Sequence, residues 1–252
     1  MSGSPRLVVF TGAGISQESG ISTFRDPGGL WERFRPEELA TPEAFAARPE
    51  VVWRWYRWRF EQVRAARPNA GHLAIASWQE RFPSLMVVTQ NVDRLHQRAG
   101  SRTVLELHGD LWTARCARCG EETEMERAML LPGEPPRCAC GGMLRPNVVW
   151  FGEGLPAETF ESAYQAAAAS DLFLVVGTSA RVYPAAGLIE VAARAGATVI
   201  EVNREETPLS TLATETFRGA PGEILPELGA AQLIRELPAD ERPRERLLAQ
   251  GA

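Results

Sequence analysis

The sequence predicts an α/β protein built on a doubly wound parallel sheet, with a smaller subdomain made of a helical module and a cysteine-bearing insert. Three observations carry the prediction. Short apolar runs ending in glycine or polar turns alternate with helical stretches, as parallel strands covered on both faces require. Residues 42–81 hold two helical stretches with no strand between them. Residues 112–147 change character and contain all four cysteines, with four prolines and four glycines.

In chain order, RLVVFT at 6–11 is an apolar run closed by the turn G-A-G-I-S, a buried parallel strand entering a phosphate-type loop. Residues 19–36 carry turn formers and little periodicity, the signature of an ordered loop. Helices follow at 42–66 and 69–81, separated by Pro68, with Asn69 capping the second. LMVVT at 85–89 is the second buried strand, and 104–107 the third, ending at His108-Gly109. After the insert, strand resumes at 148–150. A helix near 157–169, a strand at 171–177, a helix near 184–195 and a strand at 198–203 complete the alternation. The expected division is discontinuous: 6–31, 84–111 and 148–236 form a Rossmann-like domain, 32–83 and 112–147 the small domain, and 237–252 a charged tail.

Composition excludes several classes. Apolar residues make up 44% and charged residues 23%, ordinary globular usage. The net charge of −5 argues against a nucleic-acid footprint. No apolar run approaches the ~20 residues that span a bilayer. MSGSPR leads into a strand without a secretory pattern, so a cytoplasmic protein with no membrane association is expected. All 27 basic residues are arginine. Base-composition bias accounts for that, but it has a consequence: any lysine chemistry must act on another molecule.

Gly12-Ala13-Gly14 after the first strand fits close backbone approach to a phosphate. The usual dinucleotide fingerprint wants a third glycine where Gln17 stands, and a second strand ending in an acid about 20 residues later. An ordinary nicotinamide dehydrogenase is therefore disfavoured. Gln90-Asn91-Val92-Asp93, Gly177-Thr178-Ser179 and Asn203 also stand at strand ends, where open α/β sheets bind ligands. Each alone reads equally as a capping turn. Four segments converging on one sheet edge favour a nucleotide-like site.

Cys116-Ala-Arg-Cys119-Gly and Cys138-Ala-Cys140-Gly are two cysteine–glycine knuckles, which together make a closed four-thiolate site for structural zinc. Disulfides are the alternative. The second pair is C-x-C, tighter than C-x-x-C, which leaves the geometry of that half open.

In order, GAGIS, TFRD, QNVD, LHG, the cysteine pairs, VVWFGE, GTS and VN resemble the sirtuin family, the NAD-dependent protein-lysine deacylases, over residues 7–228. The resemblance implies NAD as co-substrate, structural zinc at Cys116, Cys119, Cys138 and Cys140, and acylated lysine in proteins or peptides as substrate. It implies that Gly12, Ala13, Gly14, Ser16, Thr23, Phe24 and Arg25 hold the pyrophosphate and cover the nicotinamide. Gln90, Asn91 and Asp93 then face the nicotinamide ribose and carboxamide, and Gly177, Thr178, Ser179, Asn203 and Pro221 the adenosine half. Val148, Val149, Trp150, Phe151 and Gly152 add a strand to the substrate peptide. His108 is the expected general base, acting on a ribose hydroxyl after the acyl oxygen has displaced nicotinamide; Asn91 positions a water. The products implied are free lysine and O-acyl-ADP-ribose. His72 is expected as a cap or core residue, and His96 as structural.

VWRWYRWRF at 52–60 has two helical faces. Arg54, Arg57, Glu61 and Arg64 form a solvated one. Val52, Tyr56, Arg59 and Val63 form an apolar stripe carrying a charge. A guanidinium there calls for an anion from elsewhere, or for snorkelling to solvent. One sirtuin subgroup has Tyr-x-x-Arg at this place, which implies that Tyr56 and Arg59 bind the distal carboxylate of succinyl-, malonyl- or glutaryl-lysine. An ADP-ribosyltransferase using the same site and a non-catalytic NAD- or ADP-ribose-sensing module are the competing functions.

Overall fold

Alternate residues of the apolar runs face opposite sides of one parallel sheet. The computed structural model describes residues 4–23 and 35–235. Strands β1 (Leu7–Thr11), β2 (Met86–Thr89), β3 (Val104–Glu106), β7 (Leu172–Val176), β8 (Thr198–Asn203) and β9 (Glu215–Arg218) pair in parallel, in the order β3-β2-β1-β7-β8-β9. Leu7, Val9, Leu174, Val176, Ile200 and Val202 pack on one face with Ile75, Leu225 and Leu228. Val8, Phe10, Phe173, Val175 and Val199 pack on the other with Ala163, Ala167, Leu188 and Ala192. The period of two and the cover on both faces explain why these strands read as unbroken apolar runs.

A second sheet is antiparallel: β4 (Gly109–Cys116), β5 (Glu122–Glu124) and β6 (Leu144–Val148), in the order β5-β4-β6. The helix Pro49–Ala65 lays Val52, Trp53, Tyr56, Phe60 and Val63 against Leu111, Ala114, Leu144, Val148 and Trp150 of this unit. Trp53 and Phe60 are fully buried, and truncating either costs about 3–5 kcal/mol.

The structure departs from the sequence expectation at four places. The helix expected over 42–66 is two, Pro42–Ala47 and Pro49–Ala65. Pro49 holds Arg48 out of helical geometry, at φ −142° and ψ 63°. The second helix ends at Ser77 and tightens into a 3-10 turn, Trp78–Glu80. Strand expected at 148–150 instead ends at Val148 and pairs with β4, outside the parallel sheet. The edge strand β9 and the helical stretch Pro221–Arg235, broken at Gly229 (φ 55°, ψ 158°), carried no sequence signal: ETFR is half exposed, and Pro226 interrupts the helical pattern.

Asn69 caps as expected. Its Oδ1 accepts from Gly71 N at 3.0 Å and His72 N at 3.4 Å, and its own N–H donates to His72 Nδ1 at 3.4 Å, closing a capping box. Among the described residues no helix is long and apolar enough to cross a membrane.

Candidate active site

The strand order reverses direction between β1 and β7, and the crevice of a doubly wound sheet opens at that point. There the loop after β1 meets the turn after β7. Gly12 N donates to Val176 O at 3.0 Å and Gly14 N to Gly177 O at 2.7 Å. A Cβ on Gly12 would lie 2.7 Å from Thr178 Cα, and one on Gly177 2.4 Å from Ile15 N. Gly177 also has φ +57°. The glycines are needed for two backbone turns to pack on each other. Asn69 pins the same loop from outside, donating to Ile15 O at 2.7 Å and Ser19 Oγ at 3.0 Å.

A polar cluster lines the cleft beside these turns. Ser16 Oγ donates to Asp93 Oδ2 at 2.7 Å, and Asn91 Nδ2 donates to Gly12 O at 3.0 Å. Asn91 N donates to Thr89 Oγ1 at 3.0 Å, Leu95 N to Asp93 Oδ1 at 2.9 Å, and Gln90 Nε2 to Thr178 Oγ1 at 2.9 Å. Burial pushes the Asp93 carboxyl up, against the Leu95 N–H and the Ser16 hydroxyl. His108 Nδ1 lies 3.0 Å from Gln90 O. A carbonyl only accepts, so the ring proton sits on Nδ1 and the lone pair on Nε2.

The cleft, of about 260 Å³, runs from these groups to the small unit, where Tyr56, Arg59 and Trp150 line it. Arg59 Nη2 donates to Ser22 O at 2.9 Å. Burial draws the Arg59 pKa down to about 10, with the Asp93 carboxylate opposing, so the guanidinium stays charged at neutral pH. Burial pushes the Tyr56 phenol well up, so it stays protonated. Arg54 and Arg57 face Glu134 at the surface, the solvated face expected of this helix. A second groove, of about 410 Å³, shares Gly14, Gly177, Thr178 and Ser179 with the first and continues to Asn203 and Pro221. Two cavities joined across a glycine turn fit an elongated dinucleotide.

A model of the Sir2 family matches residues 12–184, more than half of the chain. The chain belongs to the Sir2 family. It is 54% identical over 229 residues to the NAD-dependent protein deacylase 2 of Pyrobaculum aerophilum, covering 90% of this chain and 91% of that protein. It is similar to a Sir2 homologue solved with NAD, at TM-score 0.82 and 48% identity, over 92% of this chain and 91% of that one. It is also similar to a Sir2 protein solved with a deacetylated p53 peptide and 3′-O-acetyl ADP ribose, at TM-score 0.83 and 35% identity, over 88% and 92%.

Like the cleft, the cysteine cluster of this Sir2 chain joins distant residues. The four sulfurs lie within 4.8 Å of one another, with Cys116–Cys140 at 3.5 Å and Cys119–Cys138 at 3.8 Å. All four are free thiols. Thiolates around zinc stand about 3.8 Å apart, so the set fits a structural ion with no open position for water. Arg118 N and Gly142 N donate to Cys116 Sγ and Cys140 Sγ, both at 3.4 Å. A Cβ on Gly142 would lie 2.6 Å from Cys116 Sγ, so the C-x-C half closes because glycine follows it.

Of the expected site residues, Gly12, Ala13, Gly14, Ser16, Thr23, Gln90, Asn91, Asp93, His108, Tyr56 and Arg59 line the one cleft, as do Val148, Val149, Trp150, Phe151 and Gly152. Phe24 and Arg25 lie outside the described residues. Asn203 Nδ2 donates to Thr178 O at 2.8 Å, so it also ties β8 to the turn after β7. His72 and His96 are buried with ring centroids 4.9 Å apart, and His96 Nε2 lies 3.0 Å from Thr11 Oγ1. Trp55, Glu153 and Tyr183 also line the cleft, and sequence reasoning missed them. For Glu153 the signal was present: it directly follows the Trp-Phe-Gly run.

Proposed function

We propose that this Sir2-family enzyme, an NAD-dependent protein deacylase, removes dicarboxylic acyl groups as well as acetyl groups from lysine. One observation carries the proposal: His108 lines the same cleft as a protonated phenol, Tyr56, and a charged, buried guanidinium, Arg59. NAD supplies an electrophilic ribose carbon with nicotinamide as leaving group. His108 is the general base for a ribose hydroxyl, and the Gln90 carbonyl fixes its tautomer. Asn91, anchored at both its backbone and its amide, orients a water. Gln90, Asp93 and Thr23 face the nicotinamide half.

Gly12 and Gly14 spend their N–H groups on Val176 O and Gly177 O, so phosphate contacts fall to Ala13, Ser16 and Ser179. Gly177, Thr178, Asn203 and Pro221 border the groove that takes the adenosine half. Arg59 is a bidentate donor for the distal carboxylate of succinyl-lysine, with the Tyr56 hydroxyl beside it. The peptide lies along residues 148–152. Val149, Trp150 and Phe151 donate their N–H groups to His108 O, Glu153 Oε2 and Ala40 O, so a peptide strand added here meets carbonyls first.

The test is a panel of acetyl-, malonyl-, succinyl- and glutaryl-lysine peptides with and without NAD. Nicotinamide release matched by free lysine and O-acyl-ADP-ribose supports the proposal for each acyl group. ADP-ribosylated protein in place of free lysine overturns it in favour of the transferase. Turnover of acetyl-lysine alone overturns the acyl-pocket half.

A further inference from the structure

In the cleft wall, four side chains from two distant segments, Tyr56 on one and Arg145, Trp150 and Glu153 on the other, form one chain of contacts. Arg145 is 6% exposed and grips Glu153 with both Nη atoms, Nη1 to Oε1 at 2.6 Å and Nη2 to Oε2 at 2.8 Å. Arg145 Nη2 also donates to Val148 O at 2.9 Å. Its guanidinium carbon lies 3.3 Å from the centre of the Trp150 ring, a stacked cation–π contact. Glu153 Oε2 accepts the Trp150 N–H at 2.8 Å, and Trp150 O accepts the Glu153 N–H at 3.0 Å. Trp150 is thus held at its backbone by the carboxylate and at its ring by the guanidinium. Its indole Nε1–H donates to the Tyr56 hydroxyl at 2.9 Å.

A phenol has one O–H and two acceptor positions, and the O–H prefers the ring plane. An indole N–H on one side of the oxygen leaves the other side for the phenol proton. We propose that Glu153 and Arg145 are positioning residues for acyl recognition: through Trp150 they fix the Tyr56 hydroxyl as a donor to the acyl carboxylate beside Arg59. Arg145 is buried, while Glu153 is partly exposed and also accepts from Arg115 Nη2 at 3.4 Å, and such pairs contribute little net stability on average. Burial alone would raise the Glu153 carboxyl, but the Arg145 hydrogen bonds and the Trp150 N–H hold it below the ordinary glutamate range.

The inference rests on the acyl-pocket proposal above, and the experiment separates the two. Wild type, Tyr56→Phe, Arg59→Met, Trp150→Phe, Glu153→Gln, Arg145→Lys and the double variant Tyr56→Phe/Glu153→Gln are compared by kcat and KM for succinyl- and acetyl-lysine peptides, with KM for NAD and Tm alongside. Trp150→Phe and Glu153→Gln are expected to lower the succinyl-to-acetyl ratio of kcat/KM by roughly five- to tenfold, mainly through KM for the succinyl peptide. Arg145→Lys, which loses the fork and the stacking, is expected to move it the same way. In the Tyr56→Phe background, Glu153→Gln is expected to lower the ratio no further. A fall in ratio with Tyr56→Phe but not with Glu153→Gln, Arg145→Lys or Trp150→Phe overturns the inference and leaves the acyl pocket standing. Additive effects in the double variant, or equal losses on both peptides, also overturn it. An unchanged ratio in both Tyr56→Phe and Arg59→Met overturns the acyl pocket itself, and the inference with it. Trp150→Phe leaves the Arg145–Glu153 pair intact, so it reads the hydroxyl contact even where Glu153→Gln lowers Tm.

Discussion

The glycine-lined edge of the parallel sheet and the cleft wall that holds Tyr56, Arg59 and Trp150 are built on opposite principles. At the edge, backbone packs on backbone: Gly12 and Gly14 meet Gly177, and the polar side chains follow within a few residues of each strand end. At the wall, side chains from the helix Pro49–Ala65 and from residues 145–153 meet each other, and the cysteine-stapled sheet holds the second group in place. The edge tolerates almost no change of shape, because backbone meets backbone there. The wall is made of side-chain contacts, and on the reading proposed above it is where one acyl group would be told from another.

The largest effect expected falls on the wall. Zinc contributes on the order of 10 kcal/mol to small thiolate modules. Removing it with a chelator should shift the tryptophan emission to the red and abolish deacylation of every peptide. Full activity after complete zinc loss, measured on the same sample, would break the comparison. Next is the edge: His108→Ala should cut turnover by about 10²–10⁴ for all acyl groups alike, with Tm nearly unchanged. Steady-state assays on acetyl and succinyl peptides check it, and a selective loss would move His108 to the wrong side of the comparison.

Gly177→Ala should destabilise the protein by about 2–4 kcal/mol in denaturant unfolding, because backbone at 2.4 Å cannot give way and φ is +57°. Arg59→Met should lower desuccinylation roughly ten- to a hundredfold while deacetylation falls only a few fold. Equal losses on the two substrates would deny the wall its selective role.

The smallest expected effect is a pH dependence at the edge. Burial pulls the His72 pKa from its ordinary 6.5 down to about 4, and His96 is lowered in the same way. Both rings are neutral in the folded protein above that range. As the pH falls through 6.5 the unfolded chain takes up a proton that the folded chain does not. Stability is therefore complete above pH 6.5 and declines toward pH 4, by on the order of 2 kcal/mol for His72. Tm measured across this range, in wild type and His72→Gln, checks it; the variant should show a shallower slope. His96 Nε2 contacts Thr11 Oγ1, which donates to Thr89 Oγ1, the acceptor of Asn91 N–H, so acid should loosen the edge first.

Several features were legible in the sequence because they are local. Strands β1, β2, β7 and β8 show as apolar runs because both sheet faces are covered. Asn69 shows as a cap because its acceptor and donors lie within three residues. The cysteine pairs show because each knuckle closes within a few residues, Arg118 N on Cys116 Sγ and Gly142 N on Cys140 Sγ. The edge strand β9 does not show, because its neighbour β8 supplies the pairing and its residues are half exposed. The helix break at Arg48 is local too, since Pro49 disfavours helical geometry in the residue before it.

By itself the sequence determined the parallel sheet, the glycine turns at its edge, the four-thiolate set and an arginine set into an apolar helical stripe. Each is a pattern over neighbouring residues, fixed by backbone sterics and hydrophobic period. Only the tertiary structure decided that Gly12 faces Gly177, that His108 takes its tautomer from Gln90 O, and that Arg145 and Glu153 reach Tyr56 through Trp150. Those contacts join residues far apart in the chain, and their partners are chosen by the packing of whole elements, which no short window of sequence contains.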